Sequence, residues 1–246
     1  MVGRWFHQSP ILHLAGKWVY LSSILPLAVV YLALPPDIKI RRRLWTSFAV
    51  MGLSGVVFYQ VCPAAGPIYR FPESFPRYIP LLSAPQARIL PHAFLNAMPS
   101  LHMALAVLTL MYARHCAKRF QVGAGIFLVL TMLSTLGLGE HYFIDLIVAV
   151  PFIVAIDKLP DVVRDRGQRV RVYGCLNAVL FWEIALRQGW ALQLSTPIVW
   201  VLSIGTVIVP FVPIRSLAKE EDGCGERADV SAISSCALSG ASGPSG

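Results

Sequence analysis

Two pairs of polar residues interrupt apolar stretches of the sequence, and their types and spacing suit acid–base and nucleophilic chemistry. Ser100 and His102 lie in NAMPSLHMALAV, while His141 and Asp145, four residues apart, lie in GLGEHYFIDLIVAV. On a helix this spacing places His141 and Asp145 on one face, where the carboxylate can accept a proton from one imidazole nitrogen. The other nitrogen is then free to act as a nucleophile, and His102 can serve as a general acid or base.

A set of anion-binding groups accompanies these residues. Ser100 stands at the predicted start of a helix, where free backbone N–H groups attract anions. The preceding loop, 63–98, carries Arg70 and Arg77, whose guanidinium groups can clamp an anion through paired hydrogen bonds. A nucleophile, an orienting carboxylate, an acid and a positive clamp are together the parts that phosphoryl transfer requires.

Each of these features has an ordinary explanation when it is taken alone. A His and an Asp four apart are common on helices, Pro-Ser often only starts a helix, and loop arginines can contact lipid headgroups. Two polar pairs at matched depth beside one basic loop favour the catalytic interpretation. A metal site built on His102 and His141 is a second interpretation, although the sequence has no HExxH motif.

The elements that hold these residues are predicted to be transmembrane helices. Of the 246 residues, 56% are hydrophobic and 14% are charged, and the mean hydropathy is +0.62. Soluble domains have about 25% charged residues, so the composition predicts an all-α, polytopic membrane bundle. The five Cys show no CxxC or zinc spacing, which predicts neither a disulfide framework nor a metal site. No cleaved signal peptide is expected at the N-terminus.

Six to seven spans are predicted, since about 20 residues are needed to cross the hydrocarbon. The candidate segments are 18–36, 44–62, 99–115, 122–139, 141–157, 173–192 and 197–213. The segment 173–192 separates six spans from seven, because it carries Glu183 and Arg187, which can pair on one helical face.

The basic residues predict the orientation of this bundle. Twelve of the 21 Lys and Arg residues fall in three short connections, DIKIRRR, ARHCAKRF and DKLPDVVRDRGQRVRV, which the positive-inside rule makes cytoplasmic. Both polar pairs and the loop 63–98 then lie on the extracytoplasmic face. We expect a catalytic bundle over 1–216, with an active-site core at about 60–157, and a flexible cytoplasmic tail over the Gly/Ser-rich segment 217–246.

The same two stretches resemble the type 2 phosphatidic acid phosphatase superfamily, which is marked by K-x6-R-P, P-S-G-H and S-R-x5-H-x3-D motifs. The sequence PSLH at 99–102 matches the second motif, with Leu in place of Gly. Ser134, His141 and Asp145 match the third motif, with Thr135 in place of its Arg.

The first motif is matched less fully. Arg70 and Arg77 are spaced like its Lys and Arg, but Tyr78 replaces the Pro. The substitutions in the other motifs, the wording HYFID and the Pro-rich CPAAGPIY resemble the inositol phosphorylceramide synthase branch of the superfamily. The resemblance covers about 60–150.

The resemblance implies a role for each residue. His141 would be the nucleophile that forms a phosphohistidine, Asp145 would orient it, and His102 would protonate the leaving alkoxide. Ser100 would help to bind phosphate, and Arg70 and Arg77 are the candidates to neutralise it. The resemblance also implies a phosphatidic acid phosphatase/haloperoxidase-like helical core and a transfer that needs no metal or other cofactor.

We therefore expect an integral membrane enzyme that acts on a phospholipid or another lipid-linked phosphate, as a phosphotransferase or a phosphatase. Its expected partners are the lipid substrate and the surrounding membrane lipids, and not nucleic acid, because no basic stripe is interleaved with aromatic residues. The alternative is a non-catalytic transporter or lipid-binding bundle. Transporters commonly show repeated halves and polar interruptions near the midplane, whereas the polar residues here lie near one face.

Overall fold

The described part of the chain is helical and contains no β-strand. The computed structural model describes residues 3, 6, 8–61, 63–71, 74–75, 98–163, 165–190 and 193–212, apart from the side chains of 69 and 70. In chain order the helices are α1 (Pro10–Leu21), α2 (Ile24–Ala33), α3 (Ile38–Val61), α4 (Pro67–Arg70), α5 (Leu101–Ala113), α6 (Lys118–Leu138), α7 (Phe143–Lys158), α8 (Arg166–Arg187) and α9 (Thr196–Ile208). Short 3-10 turns follow α7 at Leu159–Asp161 and α9 at Val209–Phe211. The predicted all-α class is confirmed for these residues.

The first predicted span, 18–36, starts earlier in the structure and is interrupted by a break. Residues 10–33 form α1 and α2, which are bent by 54° at a short break. Ser22 and Ser23 occupy the break, and the Ser22 hydroxyl donates to the carbonyl oxygen of Trp18. Serine side chains compete in this way for backbone groups and so favour helix ends over helix interiors.

The basic connections are also shorter than predicted, because several of their residues begin helices. The segment IKIRRR forms the first turns of α3, which starts at Ile38 rather than at 44. Likewise α6 starts at Lys118 rather than 122, and α8 starts at Arg166 rather than 173. Lys and Arg are good helix formers, and their long stems can lie along apolar surface while the charge stays in water.

Helices α5 and α7 form the centre of the bundle. In α5, Ala104 and Leu108 are fully buried, and in α7, Val148, Ala149 and Ile153 are fully buried. α5 packs against α6 and α7, and α7 packs in turn against α8 and α9. Ala104 and Ala149 are small, and small residues allow helix backbones to approach closely, which is how helices pack within a membrane.

The outer surface of the bundle is apolar. Leu53, Val56 and Val57 of α3, and Ile126 and Val129 of α6, are each at least half exposed. Large apolar patches on a helical surface indicate contact with a membrane or another protein.

The number of spans is smaller than predicted when judged by length and apolarity. Within the described residues, α3 and α6 are long and apolar enough to cross a membrane, and the bent pair α1–α2 makes a third if it forms one span. α5, α7 and α9 have only 13, 16 and 13 residues, below the usual length of a membrane-crossing helix. Helix length and apolarity therefore do not show the six to seven spans that the sequence predicts.

Candidate active site

The two predicted polar pairs meet where the N-terminal ends of α5 and α7 lie side by side. Ser100 is the N-cap residue of α5, and His102 lies in its first turn. His141 lies just ahead of α7, and Asp145 lies in the first turn of α7. The backbone N–H of Ser100 donates to the carbonyl oxygen of Asp145 over 3.3 Å, which ties the two helix starts together.

The two histidines face each other across this junction. Their ring centroids are 6.3 Å apart, and the ring planes are tilted by 58°. His141 is buried, with 3% of its surface exposed. The histidines belong to the starts of two separate helices and are far apart in sequence, yet they lie at the same end of the bundle.

His141 is positioned by its own helix start. Its Nδ1 lies 3.8 Å from Oδ2 of Asp145, within ion-pair range and longer than a hydrogen bond. The same Oδ2 accepts a 2.7 Å hydrogen bond from the backbone N–H of Tyr142, which fixes the carboxylate at the N-terminal end of α7. The predicted i, i+4 spacing therefore pairs the two residues, although His141 precedes the helix rather than lying on it.

Ser100 is fully buried and caps α5. Its hydroxyl oxygen accepts a 3.3 Å hydrogen bond from the backbone N–H of Met103. A hydroxyl that accepts in this way keeps its own proton to donate, so capping leaves Ser100 able to donate to an anion.

The turn that carries His141 is held against the segment after α3. Gly139 ends α6 with a φ of 80°, a left-handed conformation that glycine adopts without strain. The Gly139 carbonyl accepts a 3.0 Å hydrogen bond from the N–H of Ile68 in α4. Gly66 lies so close to Glu140 that an added Cβ would collide with the Glu140 carbonyl oxygen. Burial raises the pKa of the Glu140 carboxyl above its ordinary value, and the neighbouring His141 opposes that shift.

The structure describes the predicted phosphate-binding arginines only in part. Arg70 ends α4, so its backbone belongs to the segment that is tied to Gly139. Arg77 lies outside the described residues, as do most of the loop 63–98 and the predicted tail 217–246. Their roles stay predictions.

A family model described as the PAP2 superfamily matches residues 1–158, more than half of the chain. The chain belongs to the PAP2 superfamily. No curated protein and no solved structure matches the chain. Membership confirms the predicted superfamily and supports a lipid phosphatase or phosphotransferase type of function. Together with the apolar helices, it also supports an integral membrane protein.

Thr135 stands where the third superfamily motif has Arg, and it does not take over a clamping role in this structure. It is fully buried, and its hydroxyl donates to the carbonyl oxygens of Thr131 and Met132 in its own helix. Ser134, the neighbouring motif residue, is also buried and lies close to Gly16 of α1. Both residues therefore pack α6 into the bundle.

Two tyrosines that the sequence did not predict also reach the candidate site. Tyr20, at the end of α1, stacks on His102 with ring centroids 3.7 Å apart. The hydroxyl of Tyr59, near the end of α3, donates to the carbonyl oxygen of Pro99 over 3.1 Å. Both come from helices outside the two motif stretches, so no local pattern points to them.

A cavity of about 720 Å³ opens beside Asp145 and Tyr142. Its walls include Phe71 and Met98 on one side, and Glu183, Leu186 and Arg187 of α8 on the other. Neither imidazole lines it. Glu183 is buried, with 6% of its surface exposed, and Arg187 donates to the carbonyl oxygen of Val61 over 3.1 Å. The PAP2 match ends at 158, so α8 adds a wall from beyond the matched region.

Among the described residues, no group of three His, Cys, Asp or Glu side chains is arranged to hold a metal ion. The metal interpretation therefore has no three-ligand set in that part of the chain.

Proposed function

We propose that this PAP2 protein transfers a phosphoryl group of a lipid substrate through a phosphohistidine on His141. The observation that carries the proposal is the pairing of His102 with His141 at 6.3 Å between ring centroids, with Asp145 beside Nδ1 of His141. The attacking nitrogen of His141 should lie about 3 Å from phosphorus, and the leaving oxygen should lie about 3 Å from the acid, His102. A phosphoryl group held in this way needs a gap of about that size between the two rings.

The proposed first step begins at Nε2 of His141, because Asp145 lies beside the other ring nitrogen. Nε2 forms a bond to phosphorus while the bond from phosphorus to the ester oxygen breaks. Protonated His102 gives its proton to the leaving oxygen, which departs as an alcohol, and it becomes neutral.

In the second step, water or a second alcohol gives a proton to neutral His102 and attacks phosphorus. The bond between phosphorus and His141 breaks, and both histidines return to their starting states. Water as the acceptor gives a phosphatase, and an alcohol gives a phosphotransferase.

Within this proposal we favour a headgroup transferase of the inositol phosphorylceramide synthase type, on the motif details. The cavity beside Asp145 supports an alcohol acceptor, because its walls are largely apolar and hold a second buried carboxylate, Glu183, besides Asp145. Acyl chains suit such walls, and an acceptor hydroxyl or amide can donate to Glu183. With phosphatidylinositol as the donor, Glu183→Gln should then lower transfer to ceramide more than it lowers release of inositol phosphate to water in the same reaction.

The proposal is tested with purified protein and radiolabelled phosphatidic acid, phosphatidylinositol and ceramide. We expect His141→Ala to lose turnover by roughly 10³-fold or more. His115→Ala is the matched control, because His115 lies between α5 and α6 at the opposite end of α5 and is exposed. Free phosphate identifies a phosphatase, and a new phosphosphingolipid identifies a transferase.

A rapid denaturing quench should trap an acid-labile, alkali-stable phosphoryl group on the wild type and not on His141→Ala. Equal turnover by the two proteins would overturn the histidine mechanism. We also expect turnover to continue in EDTA, and its loss there would favour the metal interpretation. Turnover of none of the lipids, with lipid binding intact, would favour the transporter or lipid-binding alternative.

We further propose that the site lies on the extracytoplasmic face of a bundle with six to seven crossings. The support is the cluster of basic residues at the other end of α3, α6 and α8. In intact cells, with the native cysteines replaced, a Cys at Gln188 should react with a membrane-impermeant thiol reagent, and one at Lys118 should not. The reverse pattern would invert the orientation.

A further inference from the structure

A second cavity lies at the other end of the bundle from the histidines. It has a volume of about 490 Å³ and lies between the start of α3 and the end of α7. Its walls hold three cations and two hydroxyl groups, together with apolar side chains that include Val50 and Ile156; the polar residues are Lys39, Arg42, Arg43, Thr46 and Ser47. We call this cavity the basic groove.

One of the three cations is fixed in place. Arg43 Nη2 lies 2.7 Å from Oδ2 of Asp161, and its Nε lies 3.4 Å from Oδ1 of Asp157. Asp157 is buried and also accepts a 2.8 Å hydrogen bond from Tyr112 and a 3.3 Å hydrogen bond from Ser47. The acidic side chains near the groove are therefore occupied by donors, and neither lines the groove.

The other two cations are exposed at the groove. Among the described residues, neither Lys39 nor Arg42 has a carboxylate within ion-pair distance. Asp37, the nearest acid in sequence, accepts a hydrogen bond from the backbone N–H of Lys39. The groove thus presents two charges that no carboxylate of the described residues pairs, and Arg43 is held in its wall by Asp157 and Asp161.

The distance along α3 from the candidate active site to the basic groove corresponds to the thickness of a membrane. Lys39 and Tyr59 belong to the same continuous helix, α3, and Tyr59 contacts Pro99 beside the candidate active site. A helix rises about 1.5 Å per residue, so these two residues are about 30 Å apart, which is about the thickness of the hydrocarbon core. Val50 lies deeper along α3 than Lys39, so the apolar part of the groove faces the acyl region.

We propose that the basic groove binds the phosphate headgroup of an anionic membrane phospholipid. Lys39 and Arg42 contact the phosphate, and an acyl chain lies along Val50 and Ile156. Basic pockets between helices at a membrane surface are suited to such headgroups, because two charge-assisted contacts act where water is partly excluded. This site is separate from the proposed reaction and does not depend on it.

The test uses the full chain with the double substitution Lys39→Gln and Arg42→Gln. The matched control is Lys118→Gln with Arg166→Gln, which removes one Lys and one Arg from helix starts at the same end of the bundle. Purified proteins are titrated with phosphatidylglycerol or phosphatidylcholine, and bound lipids are counted by native mass spectrometry.

We expect the groove variant to bind phosphatidylglycerol about tenfold more weakly than wild type. The control should bind as wild type does, and phosphatidylcholine binding should be equal in all three. Equal weakening in both variants would show that only general surface charge attracts the lipid, and unchanged binding in the groove variant would also overturn the proposal. Thermal unfolding in phosphatidylcholine alone checks that each variant is folded.

Discussion

The two ends of α7 each carry a buried aspartate, and the two carboxylates have different hydrogen-bonding surroundings. Asp157, at the C-terminal end, is surrounded by Tyr112, Ser47, Arg43 and Lys158. Asp145, at the N-terminal end, accepts from the backbone of Tyr142 and lies 3.8 Å from His141. A carboxylate surrounded by donors from three helices holds a structure together, whereas one aimed at a single histidine is suited to orient that histidine.

The sharpest test of this contrast is Asp145→Asn. We expect turnover of the lipid substrate to fall by about 10³- to 10⁴-fold, because an amide cannot hold the imidazole in the same protonation state. Thermal stability should change little. If Asp145→Asn instead unfolds the protein while its folded fraction stays active, the two aspartates have the same structural role.

Gly66→Ala tests the turn that carries His141 without touching a proposed catalytic residue. The added methyl group collides with the Glu140 carbonyl and must displace the turn, and a shift of about 1 Å costs on the order of 10²-fold in rate. Steady-state kinetics measure the loss. Gly52→Ala is the control, because an added Cβ there meets nothing within 4 Å. Equal activities for the two variants would contradict the proposed positioning.

Asp157→Asn probes the other end of α7. We expect a loss of about 1–3 kcal/mol in the free energy of unfolding, because several hydrogen bonds to a buried charged group are weakened. The folded protein should keep nearly wild-type turnover. Asp161→Asn serves as the control, since about a third of its side chain is exposed and the loss there should be below about 1 kcal/mol. Thermal unfolding in a fixed detergent measures both.

Tyr20→Leu should have the smallest effect. Loss of the stacked ring leaves His102 less well oriented, and such contacts contribute about 0.5–1.5 kcal/mol, so turnover should fall by a few fold. Tyr31→Leu is a suitable comparison, because Tyr31 contacts Trp45 and Arg41 away from the site. A larger loss for Tyr31→Leu than for Tyr20→Leu would indicate that general packing, rather than the stacking on His102, sets the rate.

The site was more predictable from sequence than the span pattern. The His141–Asp145 pair and the Ser100–His102 pair each lie within a few residues, so helix periodicity and helix-start signals bring their members together. That the two pairs meet depends on α5 packing against α7, which no local pattern encodes; the basic residues predicted that both pairs lie on one face, and the resemblance to known motifs implied that they act together. Tyr20 and Tyr59 could not be found, because each reaches the site from a distant helix.

The predicted span boundaries differ from the observed helix ends for a physical reason. Hydropathy marks the apolar part of a helix, whereas hydrogen bonding continues the helix through Lys39, Arg42 and Arg43 in α3 and through the basic start of α8. The break at Ser22 lies inside an apolar stretch, so hydropathy does not register it.

The cavity beside Asp145 is lined by two parts of the chain, one within the region that matches the superfamily and one beyond it. Its Asp145 side belongs to the part of the chain that the superfamily shares, while Glu183, Leu186 and Arg187 belong to a helix beyond residue 158. A substitution in α8 can therefore alter which molecule fits without disturbing the histidines. In the proposed mechanism, variation in that one helix would redirect the same chemistry to new acceptors.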